Sequence, residues 1–247
     1  MKPIVRLKNI SLSYHSEQGE TPAVENVSFD IYDGEFLSIV GPSGCGKSTL
    51  LSIISGLSKP TCGTVEMIGN HKSAYMLQKD HLFEWRSVFS NACLGLELQQ
   101  NLNDENRNKV HELLKKYGLG EFAFKRPSEL SGGMRQRAAL IRTLASQADI
   151  LLLDEPFSAL DYQTRLQVSD EISRIIREEK KTAVLVTHDI SEAISLSDRV
   201  LVFSKRPAKL KTEFNIDFSS KGKAGLSARE DPEFKNYFNK IWKELDK

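Results

Sequence analysis

The stretch EFLSIVGPSGCGKSTLLSIISGL, residues 35–57, constrains the fold of this 247-residue chain more than any other segment. Four of its first six residues, EFLSIV, are apolar, a nearly unbroken run that is typical of a strand buried on both faces. A glycine-rich loop and a helical pattern follow directly, and the loop matches the eight-position pattern of a phosphate-binding loop. The fixed positions of that pattern are Gly41, Gly46, Lys47 and Ser48. Strand, loop and helix in this order predict an α/β fold with an anion site where the strand ends.

The chemistry of the loop predicts that it binds a nucleoside triphosphate together with Mg²⁺. Backbone N–H groups at a helix N-terminus can surround a β-phosphate, and Lys47 can neutralise the β- and γ-oxygens. Ser48 offers a hydroxyl to Mg²⁺. Cys45 stands at a variable position of the pattern, and no chemistry is assigned to it. The predicted nucleotide-binding loop residues are Gly41, Pro42, Ser43, Gly44, Cys45, Gly46, Lys47, Ser48 and Thr49.

A second candidate anion site lies about ninety residues later, in the segment LSGGMRQR at residues 130–137. A serine at a helix start, with two glycines beside it, presents backbone N–H groups to an anion. One chain therefore carries two such sites far apart in sequence.

Polar residues at the ends of two other buried strands complete the candidate active site. The run ILLLDE places Asp154 at a strand end, suited to the Mg²⁺ shell, and Glu155 next to it. Glu155 is the candidate general base or orienter of an attacking water. His188 ends the strand TAVLVTH, beside the same predicted edge.

Hydrophobic patterning predicts three parts within residues 1–214. Residues 4–40 alternate as antiparallel strands joined by the turn HSEQGETP, and residues from about 85 to 145 are helical. Strands and helices then alternate again, as in an α/β core. We therefore expect an N-terminal antiparallel β subdomain and an α-helical subdomain inserted in the core.

The C-terminal residues 215–247 are predicted to form a linker and an amphipathic helix. Residues 215–230 are polar and rich in glycine and serine. The helix that follows has one apolar face, which either docks on its own domain or binds a partner. The residues of that face are Phe234, Tyr237, Phe238, Ile241, Trp242 and Leu245.

Composition narrows the possible partners and compartment. The formal net charge is +1 without a dominant basic block, so we expect no nucleic acid partner. Three cysteines, an odd number, indicate a reducing compartment rather than a disulfide framework. The first residues have no continuous apolar core, so we expect no signal peptide, and no run approaches the ~18 apolar residues of a membrane span.

Together these motifs resemble the ATP-binding subunit of ABC transporters over essentially the whole chain. Seven motifs stand in the order of that family. They are Tyr14 as the adenine-stacking aromatic, the loop 41–49, Gln78 in YMLQKD, LSGG at 130–133, ILLLDE at 150–155, SALD at 158–161 and VTHD at 186–189. The implied fold is the P-loop NTPase core of an ABC cassette, and the implied activity is ATP hydrolysis coupled to transport.

The resemblance also implies why there are two anion sites. In this family two cassettes pair head to tail, and the LSGG segment of one closes over the ATP held by the other. Ser131, with the N–H groups of Gly132 and Gly133, would then bind the γ-phosphate in trans. Met134 stands where the family often has glutamine. The backbone donors do not depend on that side chain, so closure is expected to survive.

Further residue roles follow from the matched motifs. Gln78 would approach Mg²⁺ and the attacking water, and would link the site to membrane subunits. Glu155 would polarise the water, His188 would contact the γ-phosphate, and Asp161 would lie at the dimer seam. The expected catalytic residues are thus Glu155, His188 and Gln78, and the expected metal-binding residues are Ser48, Gln78 and Asp154.

Three segments, residues 77–98, 130–137 and 197–210, are similar to the nitrate/sulfonate/taurine group of importers. In that group the aromatic stretch after Gln78 faces the membrane subunit, although Phe83 and Trp85 could instead be core residues. The resemblance implies uptake of a small solute such as nitrate, a sulfonate, taurine or a pyrimidine precursor. It implies permease subunits, an extracytoplasmic solute-binding protein and a peripheral location on the cytoplasmic face of the membrane. The alternative is a stand-alone cassette of an exporter or lipoprotein-release complex.

Overall fold

The computed structural model describes residues 2–17, 19–218 and 225–246. The strands are β1 (Pro3–Ser16), β2 (Gly19–Tyr32), β3 (Phe36–Val40), β4 (Cys62–Met67), β5 (Ser73–Met76), β6 (Ile150–Asp154), β7 (Thr182–Thr187), β8 (Arg199–Phe203) and β9 (Leu210–Asn215). The helices are α1 (Lys47–Ile54), α2 (Val88–Ala92), α3 (Leu94–Leu98), α4 (Asp104–Lys116), α5 (Gly132–Ala145), α6 (Tyr162–Glu178), α7 (Ile190–Leu196) and α8 (Pro232–Asp246). Within these described ranges, no helix combines the length and apolarity needed to cross a membrane.

A six-stranded sheet of order β5-β6-β7-β3-β8-β9 carries the candidate site. Its first five strands are parallel, and β9 pairs antiparallel with β8. Every residue of β3, β6, β7 and β8 is buried, as the near-continuous apolar runs predict for strands covered on both faces. Because the strands are parallel, β3, β6 and β7 all end at one edge, where the loop 41–49 and the strand-end polar residues lie.

The predicted N-terminal antiparallel unit is confirmed as a three-stranded sheet of order β2-β1-β4. The predicted turn over residues 15–22 is too long, because β1 continues to Ser16 and β2 begins at Gly19. At this end of the β1–β2 pair the residues are mostly polar and exposed, and backbone pairing between the two strands continues beyond the buried part. Tyr14 lies in this extended part, opposite Thr21.

Residues 85–145 are largely helical, as predicted, but the helices begin and end at other residues than the sequence pattern indicated. Residues 87–100 form two short helices, α2 and α3, that meet at Cys93. The long helix α5 packs against α2, α3, α4 and α6. Its buried residues belong to the same apolar cluster as Leu151 of β6 and Leu185 of β7. The helices therefore share one core with one face of the parallel sheet.

The sequence analysis did not predict β4, β5 or β9 as strands. Both β5 and β9 are edge strands, and β4 is the edge of the smaller sheet. Their residues are mostly half-buried or exposed, so the apolar runs that marked the central strands are missing.

Both flanks of the predicted linker 215–230 are packed rather than loose. Asn215 ends β9, Phe218 is buried, and residues 225–230 form a 3-10 turn that contacts α6 and α7 through the buried Ala228. Residues 219–224 of this prediction lie outside the described residues.

Helix α8 docks on its own chain, which decides between the two alternatives for its apolar face. Ile241 is fully buried against α7 and β8, and Phe234, Tyr237, Phe238 and Leu245 are half-buried around it. Trp242 is the exception in the predicted face, since 55% of it is exposed.

Candidate functional site

The loop after β3 leads straight into α1, and its backbone conformation depends on Gly46. Gly46 is the N-cap of α1 with a φ of 125°, and a Cβ there would lie 2.4 Å from the carbonyl oxygen of Ala23. Only glycine fits this position. No described side chain caps α1, so the first-turn N–H groups remain available to an anion.

Lys47 brings a buried positive charge to this helix start. Its Nζ donates hydrogen bonds to the carbonyl oxygens of Gly41, at 2.8 Å, and Pro42, at 3.0 Å. A buried ammonium group requires such partners, and these two are neutral. The cation is therefore held over the loop without a fixed counter-charge among its hydrogen-bond partners, which suits an incoming phosphate.

Cys45 differs from the other loop residues because its thiol faces the protein interior. The residue is buried, and burial raises the pKa of the thiol. Its Sγ would lie 3.0 Å from a Cβ placed on Gly41, and its N–H donates to the Pro42 carbonyl at 3.3 Å. The structure gives the Cys45 side chain a packing role, and no chemistry is assigned to its thiol.

Ser48 and Asp154 meet across the sheet edge and form an oxygen-rich pair. The Ser48 hydroxyl donates to Asp154 Oδ1 at 2.9 Å, and the Tyr75 phenol donates to Oδ2 at 2.9 Å. Burial and the neighbouring carboxylate raise the pKa of Tyr75, so the phenol stays a donor. A hydroxyl and a carboxylate at a phosphate-binding loop are the ligands that Mg²⁺ accepts together with phosphate oxygens. The residues present therefore fit this metal.

Glu155 and His188 form a second polar pair at the same edge. Glu155 Oε2 lies 3.0 Å from His188 Nδ1. Glu155 follows β6 with a φ of 42°, a left-handed conformation that is unusual for glutamate. Its N–H still donates to the Val186 carbonyl of β7, at 2.9 Å. Such local strain is common at functional sites, and here it turns the side chain towards His188.

Gln78 is connected to Glu155 through one serine. Its Nε2 donates to Ser158 Oγ at 3.2 Å, and that hydroxyl donates to the Glu155 carbonyl at 2.9 Å. Gln78 is exposed and follows β5. Among the described contacts, its amide does not reach Ser48 or Asp154.

A cavity of about 270 Å³ lies next to Lys47, Ser48 and Glu155, while Asp154, Gln78 and His188 are not among the described residues that line it. Gly44, Gly46, Lys47, Ser48 and Thr49 line it together with Tyr14, Ala23, Glu155 and Arg206. Tyr14 is half exposed, and its hydroxyl lies 3.2 Å from Thr49 Oγ1. An aromatic ring held in this way has a face free for stacking.

Arg206 is a cavity residue that the sequence analysis missed. It lies between β8 and β9, and its Nε donates to the Pro22 carbonyl at 3.0 Å, close to the cavity-lining Ala23. The signal was present in SKRPAK, a basic turn directly after a buried strand. Nothing in that segment indicated which of its cations faces the loop 41–49.

The LSGG segment starts α5, as predicted. Ser131 is the N-cap, and its Oγ accepts the Met134 N–H at 3.3 Å. A Cβ on Gly133 would lie 2.9 Å from a methyl of Val168, so glycine lets α5 approach α6 closely. The Met134 side chain is half-buried and packs on the core. It therefore contacts its own chain.

The structure does not bring the LSGG segment to the cavity within one chain. None of residues 131–134 is among the described residues that line it, and neither is Asp161. Asp161 is exposed and caps α6 by accepting the Thr164 N–H at 3.1 Å. The hydrogen bonds with Thr164 lower the pKa of Asp161, so it is a carboxylate at neutral pH.

An aromatic projection lies on the segment before α2. Trp85 is 73% exposed and stacks on Phe83 with 4.7 Å between ring centroids, so a core location for Trp85 is wrong. The buried Asn91 fixes the backbone beneath it, since its side chain bonds to both the N–H and the carbonyl of Phe83. The projection is thus exposed and rigidly supported.

Comparison with known proteins places these motifs in one family. A family model described as "ABC transporter" matches residues 24–158. An uncharacterised ABC transporter ATP-binding protein, YtlC of Bacillus subtilis, is 46% identical over 98% of this chain and 95% of its own length. The nitrate transport protein NasD of Klebsiella oxytoca is 40% identical, covering 84% of this chain and 83% of NasD. The taurine import ATP-binding protein TauB of Jannaschia sp. is 39% identical, covering 87% and 83%.

A solved structure shows a similar fold. It is a dimer of the ATP-binding cassette MJ0796 in a post-hydrolysis state with ADP and phosphate, 34% identical in sequence. The TM-score is 0.72, over 86% of this chain and 99% of that one.

Proposed function

The chain belongs to the ABC transporter family and is an ATP-hydrolysing cassette, and from this premise we propose that it drives uptake of a small solute. The names of its relatives support the import direction, since NasD transports nitrate and TauB imports taurine. The proposed solute is nitrate, a sulfonate, taurine or a pyrimidine precursor, and the names of these relatives support the first three. The observation that carries the proposal is that one cavity is lined by Ser48, which is bonded to Asp154, and by Glu155, which is paired with His188.

Binding of Mg²⁺ and ATP follows from the loop. We propose that the N–H groups of residues 41–49 and the ammonium of Lys47 hold the phosphates, with Tyr14 stacked on the adenine. Ser48 and Asp154 would hold the metal, with Gln78 approaching it after its side chain leaves Ser158. Bound Mg²⁺ would neutralise charge on the β- and γ-phosphate oxygens.

Hydrolysis is assigned to the second pair. Glu155 would accept a hydrogen bond from the attacking water and orient it towards the γ-phosphate. His188 is placed to hold Glu155 through Nδ1, which leaves Nε2 for the γ-phosphate. Ser158 would support Glu155 through its backbone carbonyl, and Gln78 would stay bonded to Ser158 until it approaches the metal.

We propose that the LSGG segment completes the site of a second copy. Because Ser131 caps Met134, the N–H groups of Gly132 and Gly133 are left without an intrahelical acceptor and can bind a γ-phosphate. A nucleotide that touches both chains stabilises the pair by mass action, and loss of the γ-phosphate releases it. Asp161 would lie at the seam between the two copies.

The partners and location are proposed from the exposed surface. The Phe83–Trp85 projection would contact a permease subunit, which in turn would receive the solute from an extracytoplasmic binding protein. The proposed location is therefore peripheral, at the cytoplasmic face of the membrane. Residues 1–214 would act as the ATPase unit, with the helices at about 85–145 as a subdomain that carries the permease contact.

Light scattering of the Glu155→Gln variant tests dimer formation directly. We expect a monomer that becomes a dimer with Mg-ATP and stays monomeric with ADP. Titration with a fluorescent ATP analogue in the same samples establishes that nucleotide is bound. A protein that remains monomeric with ATP bound would contradict the trans role of Ser131.

A further inference from the structure

A chain of buried polar contacts connects the predicted dimer seam to His188. It begins at Arg165 of α6, whose Nη2 donates to the Leu160 carbonyl at 2.9 Å. Leu160 directly precedes Asp161, and the Arg165 N–H donates to the Asp161 carbonyl at 2.8 Å. Arg165 thus bonds to the backbone of the SALD segment through its own N–H and through its own side chain.

The other end of the contact chain is Glu192 of α7. Its Oε2 accepts the Thr187 hydroxyl at 2.7 Å, and that hydroxyl accepts the Asp189 N–H at 3.0 Å. Thr187 and Asp189 flank His188 in sequence. Glu192 therefore fixes the backbone on both sides of His188 through one hydroxyl.

The side chains of Arg165 on α6 and Glu192 on α7 meet where these two helices pack together. Arg165 Nε lies 3.9 Å from Glu192 Oε1, and this Nε is buried with no hydrogen-bond partner among the described residues. The Glu192 side chain is only 6% exposed, and its burial raises the pKa of the carboxyl. A buried carboxylate and a buried, unpartnered N–H at this separation form a bond after a shift of about 1 Å.

We infer that Arg165 and Glu192 are positioning residues, whose contact transmits the position of the Asp161 segment to His188. Resting on the proposed function, this inference gives the pair a specific task. When a second copy packs against Asp161, the Leu160 carbonyl and Arg165 move together, and Glu192 carries that movement to the backbone around His188. Closure of the dimer would thereby be coupled to alignment of the Glu155–His188 pair.

Steady-state ATP hydrolysis by Glu192→Gln, Arg165→Gln and the double variant tests this inference. We expect kcat to fall about tenfold in each single variant while KM for ATP stays unchanged, the size typical of coupling residues that touch no ligand. The double variant should fall no further than either single one, because both remove the same contact. Glutamine preserves the acceptor for Thr187 and removes a buried charge, so the melting temperature of Glu192→Gln should not fall.

Arg174→Gln is the matched control. Arg174 lies on the same helix and pairs with Glu178 at 2.9 Å on the surface, so its loss should leave kcat unchanged. A kcat of Glu192→Gln within twofold of wild type would overturn the inference, as would a loss of kcat that only parallels loss of folded protein. His188→Ala in the same assay distinguishes a failure of the proposed catalytic site from a failure of the coupling. If His188→Ala hydrolyses ATP normally, the proposed catalytic site is wrong, whereas its inactivity beside active Arg165 and Glu192 variants refutes only the coupling.

Discussion

The two anion-binding helix starts, at α1 and α5, use similar residues in opposite ways. At α1 the N-cap is Gly46, no described side chain caps the helix, and the Ser48 hydroxyl reaches Asp154 on β6. At α5 the N-cap is Ser131, whose hydroxyl serves its own helix. The start of α1 is surrounded by residues from four other parts of the chain, whereas the start of α5 faces outward. The start of α1 therefore opens on a cavity built by its own chain, whereas the start of α5 lies apart from that cavity, which is why we propose that it acts on a second chain.

Removal of the Glu155 carboxylate should produce the largest effect, and only at the α1 site. We expect Glu155→Gln to lower kcat by about 10²–10⁴-fold, the usual contribution of a positioned general base, while ATP affinity is preserved. Phosphate release and nucleotide binding are the two measurements. Near-normal hydrolysis would remove Glu155 from the catalytic role, and an unaffected rate in His188→Ala would do the same for His188.

Substitution of Ser131 should affect the outward-facing site without weakening ATP binding by the monomer. In the Glu155→Gln background, Ser131→Ala should weaken ATP-driven dimerisation about 10–100-fold, because a hydrogen bond to a charged group is lost. Light scattering against protein concentration gives this value.

Ser87→Ala is the matched control for Ser131→Ala. Ser87 caps α2 in the same way, accepting the Ser90 N–H at 3.1 Å. Both variants should lose about 1 kcal/mol of stability with the cap. Equal effects on dimerisation would mean that Ser131 acts only through its helix.

Arg206 gives a smaller, more local test of the α1 site. We expect Arg206→Ala to weaken ATP binding about 2–10-fold, since its guanidinium lines the cavity and is held there by the Pro22 carbonyl. Binding of inorganic triphosphate should be unchanged if the contact is to the nucleoside. Lys205→Ala, the exposed neighbour outside the cavity lining, should bind ATP as wild type, and a matching loss there would assign the effect to general charge.

Trp85→Ala should have the smallest effect on either site. Because the ring is exposed, hydrolysis by the isolated chain should stay within about twofold of wild type. Co-purification with a membrane subunit should fall. Leu57→Ala removes an equally exposed apolar side chain elsewhere, and should leave assembly intact. Unchanged assembly with Trp85→Ala would separate the aromatic projection from the permease contact.

The predictions from sequence succeeded where the signal is local. The loop 41–49, the cap at Ser131 and the buried strands each depend on neighbouring residues, and the structure contains them where expected. The prediction that Asp154 and Glu155 serve different purposes also agrees with their separate partners, Ser48 and His188.

The sequence was uninformative where contacts are distant or where burial is partial. Edge strands β5 and β9 lack continuous apolar runs. Because β5 was not predicted, the contact of its Tyr75 with Asp154 could not be predicted either. Arg206 reaches the cavity only because β2 and the β8–β9 turn are adjacent in space. The Arg165–Glu192 contact joins two helices whose order along the chain says nothing of their separation.

The close approach at Gly133 has a consequence for how natural variation in this segment should be interpreted. A side chain at this position would collide with Val168 of the same chain, whether or not a nucleotide ever bridges two copies. Selection for a stable fold would therefore retain Gly133 in a descendant that had lost ATP hydrolysis altogether. Glycine at this position is therefore evidence of the ancestry of a cassette and not of its activity.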